Sequence, residues 1–227
     1  MSYVICCSKL WIPSIAEEMQ RRTGESFSLM TRKDELSMDN LKPLKPKIIF
    51  LPHWSFMIPK EILTRYECVI FHMTDVPFGR GGSPLQNLIS RGIAETKLSA
   101  LRATEDLDAG DVYLKKNLTL EGKAQEIYIR LTKLVMDMMI EIVKDKPIPK
   151  PQEDSMTLFK RRKPEQSNIK DIQNLKDLYD HIRMLDADGY PKAYLETDRL
   201  RFEFTDAVFD KETLRAQVTI ALRKQAP

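Results

Sequence analysis

The chain has 227 residues, 42% apolar and 30% charged, with 36 basic against 33 acidic side chains and a formal net charge of +3. That balance supports a real core and argues against the concentrated basic face of a nucleic-acid binder. No run approaches the roughly 18–20 apolar residues of a membrane span. Three cysteines (Cys6, Cys7 and Cys68) lie in apolar runs with no CxxC spacing, so a disulfide framework is excluded and buried free thiols are expected. The first residues lack the basic flank and cleavage site of a secretory leader. The expected setting is cytoplasmic.

Strand and helix signals alternate along the first half. YVICC (3–7) is a continuous apolar run, as in a strand buried on both faces. IPSIAEEMQRRT (12–23) has helical spacing with Pro13 near its start. FSLMT (27–31), KIIFLP (47–52) and CVIFH (68–72) are further strands, and residues 32–47 read as a loop with at most one helical turn. PKEILTRY (59–66) and SPLQNLISRG (83–92) are short helices, the second bounded by Pro84 and Gly92. KLSALRA (97–103) and VYLKKNLTL (112–120) alternate like half-buried strands, as an antiparallel pair would. The longest helix is expected over 122–145, with Ile127, Leu131, Leu134, Val135, Met138 and Ile142 on its core face.

Composition then shifts. KPIPKPQED (146–154) is a proline-rich linker, residues 155–171 are polar, 174–186 is an amphipathic helix, and three short strands follow. The layout is a first domain over 1–150 and an extension over 151–227. The apolar faces of the C-terminal helix and strands would find cover in a homodimer.

Two segments carry chemistry. HMTDVPFGRGGSP opens at His72, at the end of a strand, and EDLDAGD holds Asp108 in a second tight loop 36 residues later. Polar residues at the mouth of a hydrophobic sheet sit where open α/β folds bind ligands. The two together suggest a His–Asp proton-handling pair. Glycines 79, 81 and 82 fit tight turns better than a phosphate cradle, because GxxxxGK[ST] is absent. The run Lys160–Lys163 is a solvated basic face or a phosphate contact. His181, on the C-terminal helix, reads as packing. No Cys/His cluster has metal-ligand spacing, so no metal is expected.

These segments resemble the 10-formyltetrahydrofolate-dependent formyltransferase family. HMTDVPFGRGGSPLQNLI is similar to the family's histidine loop, LDAG (107–110) to its LDTG or LDGG loop, and FLPHWSFMIPKEIL (50–63) to the stretch that lines the folate pocket. FKRRKPEQSNI (159–169) and DADGYPKAYLE (186–196) look like the C-terminal part of sugar-nucleotide N-formyltransferases. The resemblance implies an α/β fold with a mostly parallel, Rossmann-like sheet and a small helix-plus-β extension. It implies 10-formyltetrahydrofolate as co-substrate and an amine that attacks the formyl carbon, with an oxyanion to be stabilised.

By the same resemblance His72 is the general base supported by Asp108. Trp54, Ser55, Phe56, Met57, Thr104, Glu105, Asp106 and Leu107 line the folate site, and Arg80, Gly81 and Gly82 meet the acceptor. One departure stands out. The family's Asn-x-His is Ile70-Phe71-His72 here, and isoleucine donates no hydrogen bond. His53, at the end of the adjacent strand, is the candidate substitute, since parallel neighbours lie about 4.8 Å apart.

The acceptor implied by the sugar branch is a nucleotide-linked amino sugar of a bacterial glycan pathway of the pseudaminic-acid type, with nucleic acid an unlikely partner. The alternatives are a methionyl-tRNA formyltransferase, or a non-catalytic binding module in view of Ile70.

Overall fold

The computed structural model describes residues 1–153 and 155–223. The elements in chain order are β1 (Ser2–Cys6), α1 (Ile15–Thr23), β2 (Ser26–Met30), α2 (Met38–Leu44), β3 (Ile48–Leu51), α3 (Lys60–Arg65) and β4 (Glu67–His72). There follow β5 (Arg80–Gly81), α4 (Pro84–Ile89), β6 (Glu95–Arg102), β7 (Val112–Thr119) and α5 (Ala124–Asp145). The chain closes with β8 (Leu158–Phe159), α6 (Leu175–Arg183), β9 (Ala193–Glu196), β10 (Leu200–Phe209) and β11 (Leu214–Leu222). One expected loop is a helix. Ser37 caps α2 through its hydroxyl, and Pro43, which has no N–H for the carbonyl of Asp39, lies one residue before the helix ends at Leu44.

Contacts divide the chain into two interleaved units. The first comprises Met1–Gly81, Thr96–Leu118 and Ile129–Leu158. The second comprises Gly82–Glu95, Thr119–Tyr128 and the residues from Phe159 onward. The seam near 158 lies a few residues beyond the boundary expected at 150, and the second unit also recruits two earlier segments.

The first unit is built on a six-stranded sheet of order β2-β1-β3-β4-β6-β7. β1 runs parallel to β2 and β3, and β3 parallel to β4, while β6 is antiparallel to β4. β1 and β3 are almost wholly buried, as their unbroken apolar sequences require, whereas β2 at the sheet edge buries only Phe27 and Met30. One face packs Val4, Cys6, Ile49, Leu51, Ile62, Cys68 and Ala103 together. Along α5, Ile127, Leu131, Val135, Met138 and Ile142 are buried as its periodicity predicts, and Leu134 is half-buried. Among the described residues, no helix is long and apolar enough to cross a membrane.

The second unit holds an antiparallel three-stranded sheet of order β11-β10-β9. Helix α6 covers β10, with Tyr179 tilted against Phe209 at 5.8 Å between ring centres.

Candidate active site

His72 is the last residue of β4. Register pairs it with Ser99 of β6, and strand alternation puts Cys68, Ile70 and His72 on one face. Beyond His72 the chain turns through Pro77 to Gly81. Gly79 and Gly81 have φ of 74° and 107°, conformations that suit glycine. Arg80 N–H donates to Thr157 O at 3.0 Å, and Thr157 N–H returns a bond to Pro77 O, so the loop is laced to the segment after the linker.

Asp108 comes from the loop between β6 and β7. It holds a left-handed φ of 52°, and Gly110 crowds the main chain of β6: a Cβ there would lie 1.8 Å from Arg102 O. These two loops bring the pair together. His72 Nδ1 lies 3.4 Å from Asp108 Oδ2, and both side chains are about nine-tenths buried. Gly81 N–H donates to the same carboxylate oxygen at 2.9 Å. On its other side, His72 Nε2 lies 2.8 Å from Gly79 O. A carbonyl only accepts, so Nε2 is the donor in that bond. Thr74 and Ser99 are buried beneath it, Ser99 donating to Thr74 O at 2.7 Å.

The remaining expected residues fall in several places. Ile70 packs against the apolar cluster of Leu51, Ile62, Cys68 and Ala103. Trp54 packs on the same cluster, its Nε1 buried with no hydrogen-bond partner and its ring edge-on to Phe56 at 5.2 Å. Phe56 and Met57 are exposed, and Ser55 bonds to Ser8. Thr104 to Leu107 form an exposed loop, joined to α3 by a Lys60–Glu105 ion pair at 2.8 Å. The apolar wall and the unsatisfied indole donor fit a flat, polar-edged heterocycle such as a pterin.

Arg80 and His53 are less free than their sequence positions suggest. The Arg80 fork meets Gln152 Oε1, at 3.0 Å from Nε and 2.7 Å from Nη2, and its Nη1 lies 3.4 Å from Met156 Sδ. His53 Nε2 lies 2.9 Å from Thr132 Oγ1 on α5, and its carbonyl accepts from Ser8 at 2.6 Å. Burial, and secondarily the Lys9 ammonium, push the His53 ring down to about 4, so it is neutral at pH 7. Gly82, in the second unit, is packed so tightly that a Cβ would lie 2.6 Å from Arg161 Cβ. Gln152 went unnoticed in the sequence, where a polar residue in a proline-rich linker carries no signal.

A family model described as "Formyl transferase" matches residues 13–143. The chain belongs to the formyl transferase family. A second model, "Methionyl-tRNA formyltransferase, C-terminal domain", matches residues 164–221. A solved methionyl-tRNA formyltransferase from Clostridium thermocellum is 43% identical with a TM-score of 0.95, covering 98% of this chain and 100% of that one. The methionyl-tRNA formyltransferase of Campylobacter lari is 25% identical over 205 residues, 89% of this chain and 67% of that protein. The chain spans about two thirds of the length of such curated relatives.

HypX from Aquifex aeolicus, solved with tetrahydrofolic acid, shares the fold at 17% identity and a TM-score of 0.75, over 92% of this chain and 38% of that one. This is a one-carbon transferase whose family donor is 10-formyltetrahydrofolate.

These relatives overturn two expectations from the sequence. The nucleotide-linked amino sugar, with its glycan pathway, is not what the Clostridium thermocellum and Campylobacter lari proteins are named for, and nucleic acid is not an unlikely partner; sugar N-formyltransferases share the fold alone, at 15–16% identity. The segments that suggested a sugar lie within 159–196, where the matching model, from residue 164 on, is the methionyl-tRNA formyltransferase C-terminal domain, and the polar, basic character of 159–169 suits the phosphates of either acceptor.

Proposed function

We propose that the protein formylates the amino group of methionyl-tRNA, with 10-formyltetrahydrofolate as donor. The match over the full chain to the Clostridium thermocellum methionyl-tRNA formyltransferase carries this reading. The donor supplies the formyl group, and the chain supplies proton handling and positioning.

The amine must lose a proton as its new bond to carbon forms, and the leaving nitrogen of the folate must gain one. His72 is the base that takes the first proton, and the same ring returns it. To act as that base the ring carries its hydrogen on Nδ1, toward Asp108, and releases the Nε2 bond to Gly79 O, so that Nε2 presents a lone pair to the amine. Trp54, Phe56 and Met57 with Thr104–Leu107 hold the donor. Lys160, Arg161 and Lys163, all exposed, offer charge to the phosphates of the acceptor. The free, buried thiols support a cytoplasmic setting.

The test is transfer of labelled formyl from 10-formyltetrahydrofolate to methionyl-tRNA at two salt concentrations. Transfer whose KM rises with salt supports the reading. A chain that binds folate but leaves methionyl-tRNA unformylated at any salt contradicts it.

A further inference from the structure

The Gln152 side chain touches both loops of the site through its amide. Nε2 donates to two main-chain oxygens of the aspartate loop, Asp108 O at 2.8 Å and Gly110 O at 2.7 Å. Oε1 accepts from Arg80 Nε and Nη2 at 3.0 and 2.7 Å. The residue after Arg80 is Gly81, whose N–H meets the Asp108 carboxylate. The ring of contacts therefore closes: Gln152 to Arg80, Arg80 along the chain to Gly81, Gly81 to Asp108, and Asp108 back to Gln152. The backbone of Gln152 is itself held nearby, because Lys150 exchanges both main-chain bonds with Val112 on β7, at 2.7 and 2.9 Å.

We infer that Gln152 is a positioning residue that sets the approach of Asp108 to His72. This rests on the proposed roles of that pair. Asp108 occupies a left-handed conformation that a non-glycine residue keeps only where its surroundings hold it. Its carbonyl and that of Gly110 need donors, and the Gln152 amide supplies one hydrogen to each. Its oxygen at the same time anchors the histidine loop through Arg80. Few side chains can do both: a carboxylate keeps the bond to Arg80 but offers no donor, and an aliphatic group keeps neither. A plain linker anchor would need only the bond to Arg80.

The deciding variant is Gln152→Glu, which preserves shape and the Arg80 contact and places oxygen against the two carbonyls. Gln152→Met, of similar length, is the second variant. The 227-residue chain has three histidines, so nitrogen NMR of the labelled protein resolves His72 from His53 and His181 without any substrate. The expected result is that both variants change the His72 ring nitrogen shifts, as Asp108→Asn does, and leave those of His181 in place. In the transfer assay kcat falls by about 10²-fold, the order expected for a misplacement near 1 Å, with KM little changed.

A folded Gln152→Glu or Gln152→Met protein whose His72 ring nitrogen shifts match those of the parent overturns the inference. So does a loss of activity that follows KM alone. An NMR shift without methionyl-tRNA formylation keeps the role of Gln152 and removes the acceptor reading. Formylation with an unmoved His72 does the reverse.

Discussion

His72 Nδ1 and Asp108 Oδ2 stand 3.4 Å apart although 36 residues separate them in the chain. The ring also meets a carbonyl at Nε2, so it is held between two acceptors on opposite sides. The carboxylate orients the ring. Asp108→Asn keeps the size and an acceptor for Gly81 N–H but removes the charge. It is expected to lower kcat by about 10²–10⁴-fold, the range for losing positioned acid–base catalysis. Single-turnover formyl transfer measures this, and a variant within a few-fold of the parent would show that the charge does not matter.

Ile70 occupies the position where the family carries a hydrogen-bond donor, and it packs with Leu51, Ile62, Cys68 and Ala103. Placing an amide there without partners costs about 1–3 kcal/mol. Urea unfolding of Ile70→Asn should show a loss of that order. An unchanged midpoint would mean that the amide finds partners, and that the site has room for the donor the family uses.

His53 gives a pH prediction. Its folded value, near 4, lies below the ordinary 6.5 because of burial first and Lys9 second. Between these values the unfolded chain takes up a proton that the folded chain refuses. The contribution of His53 is therefore complete above pH 6.5 and is lost as pH falls toward 4. His53→Gln retains a partner for Thr132 and does not titrate. Its unfolding free energy should fall less than that of the parent between pH 7 and 4.5, and equal slopes would remove His53 as a source of the acid sensitivity.

The sheet was largely readable from the sequence because parallel strands buried on both faces leave unbroken apolar runs, as in YVICC and KIIFLP. His72 and Asp108 stood out because each ends an apolar run in a loop rich in glycine. Helix α2 did not, since Pro43 and the lysines around it hide a short helix capped by Ser37. Gln152 was invisible because its partners are main-chain oxygens and an arginine over 70 residues away, and neither leaves a pattern. The acceptor was misread for a related reason. The polar, basic segment 159–169 suits the phosphates of a nucleotide sugar and of a tRNA alike, so it holds no pattern that separates them.

The most direct test of the account is a double-mutant cycle on single-turnover formylation of methionyl-tRNA with His72→Ala, Asp108→Ala and the double variant. If the two side chains work as one unit, each single change costs about 10²–10⁴-fold and the double change costs little more than the larger of the two. Losses that multiply, or a His72→Ala protein that transfers formyl at the parent rate, would contradict it.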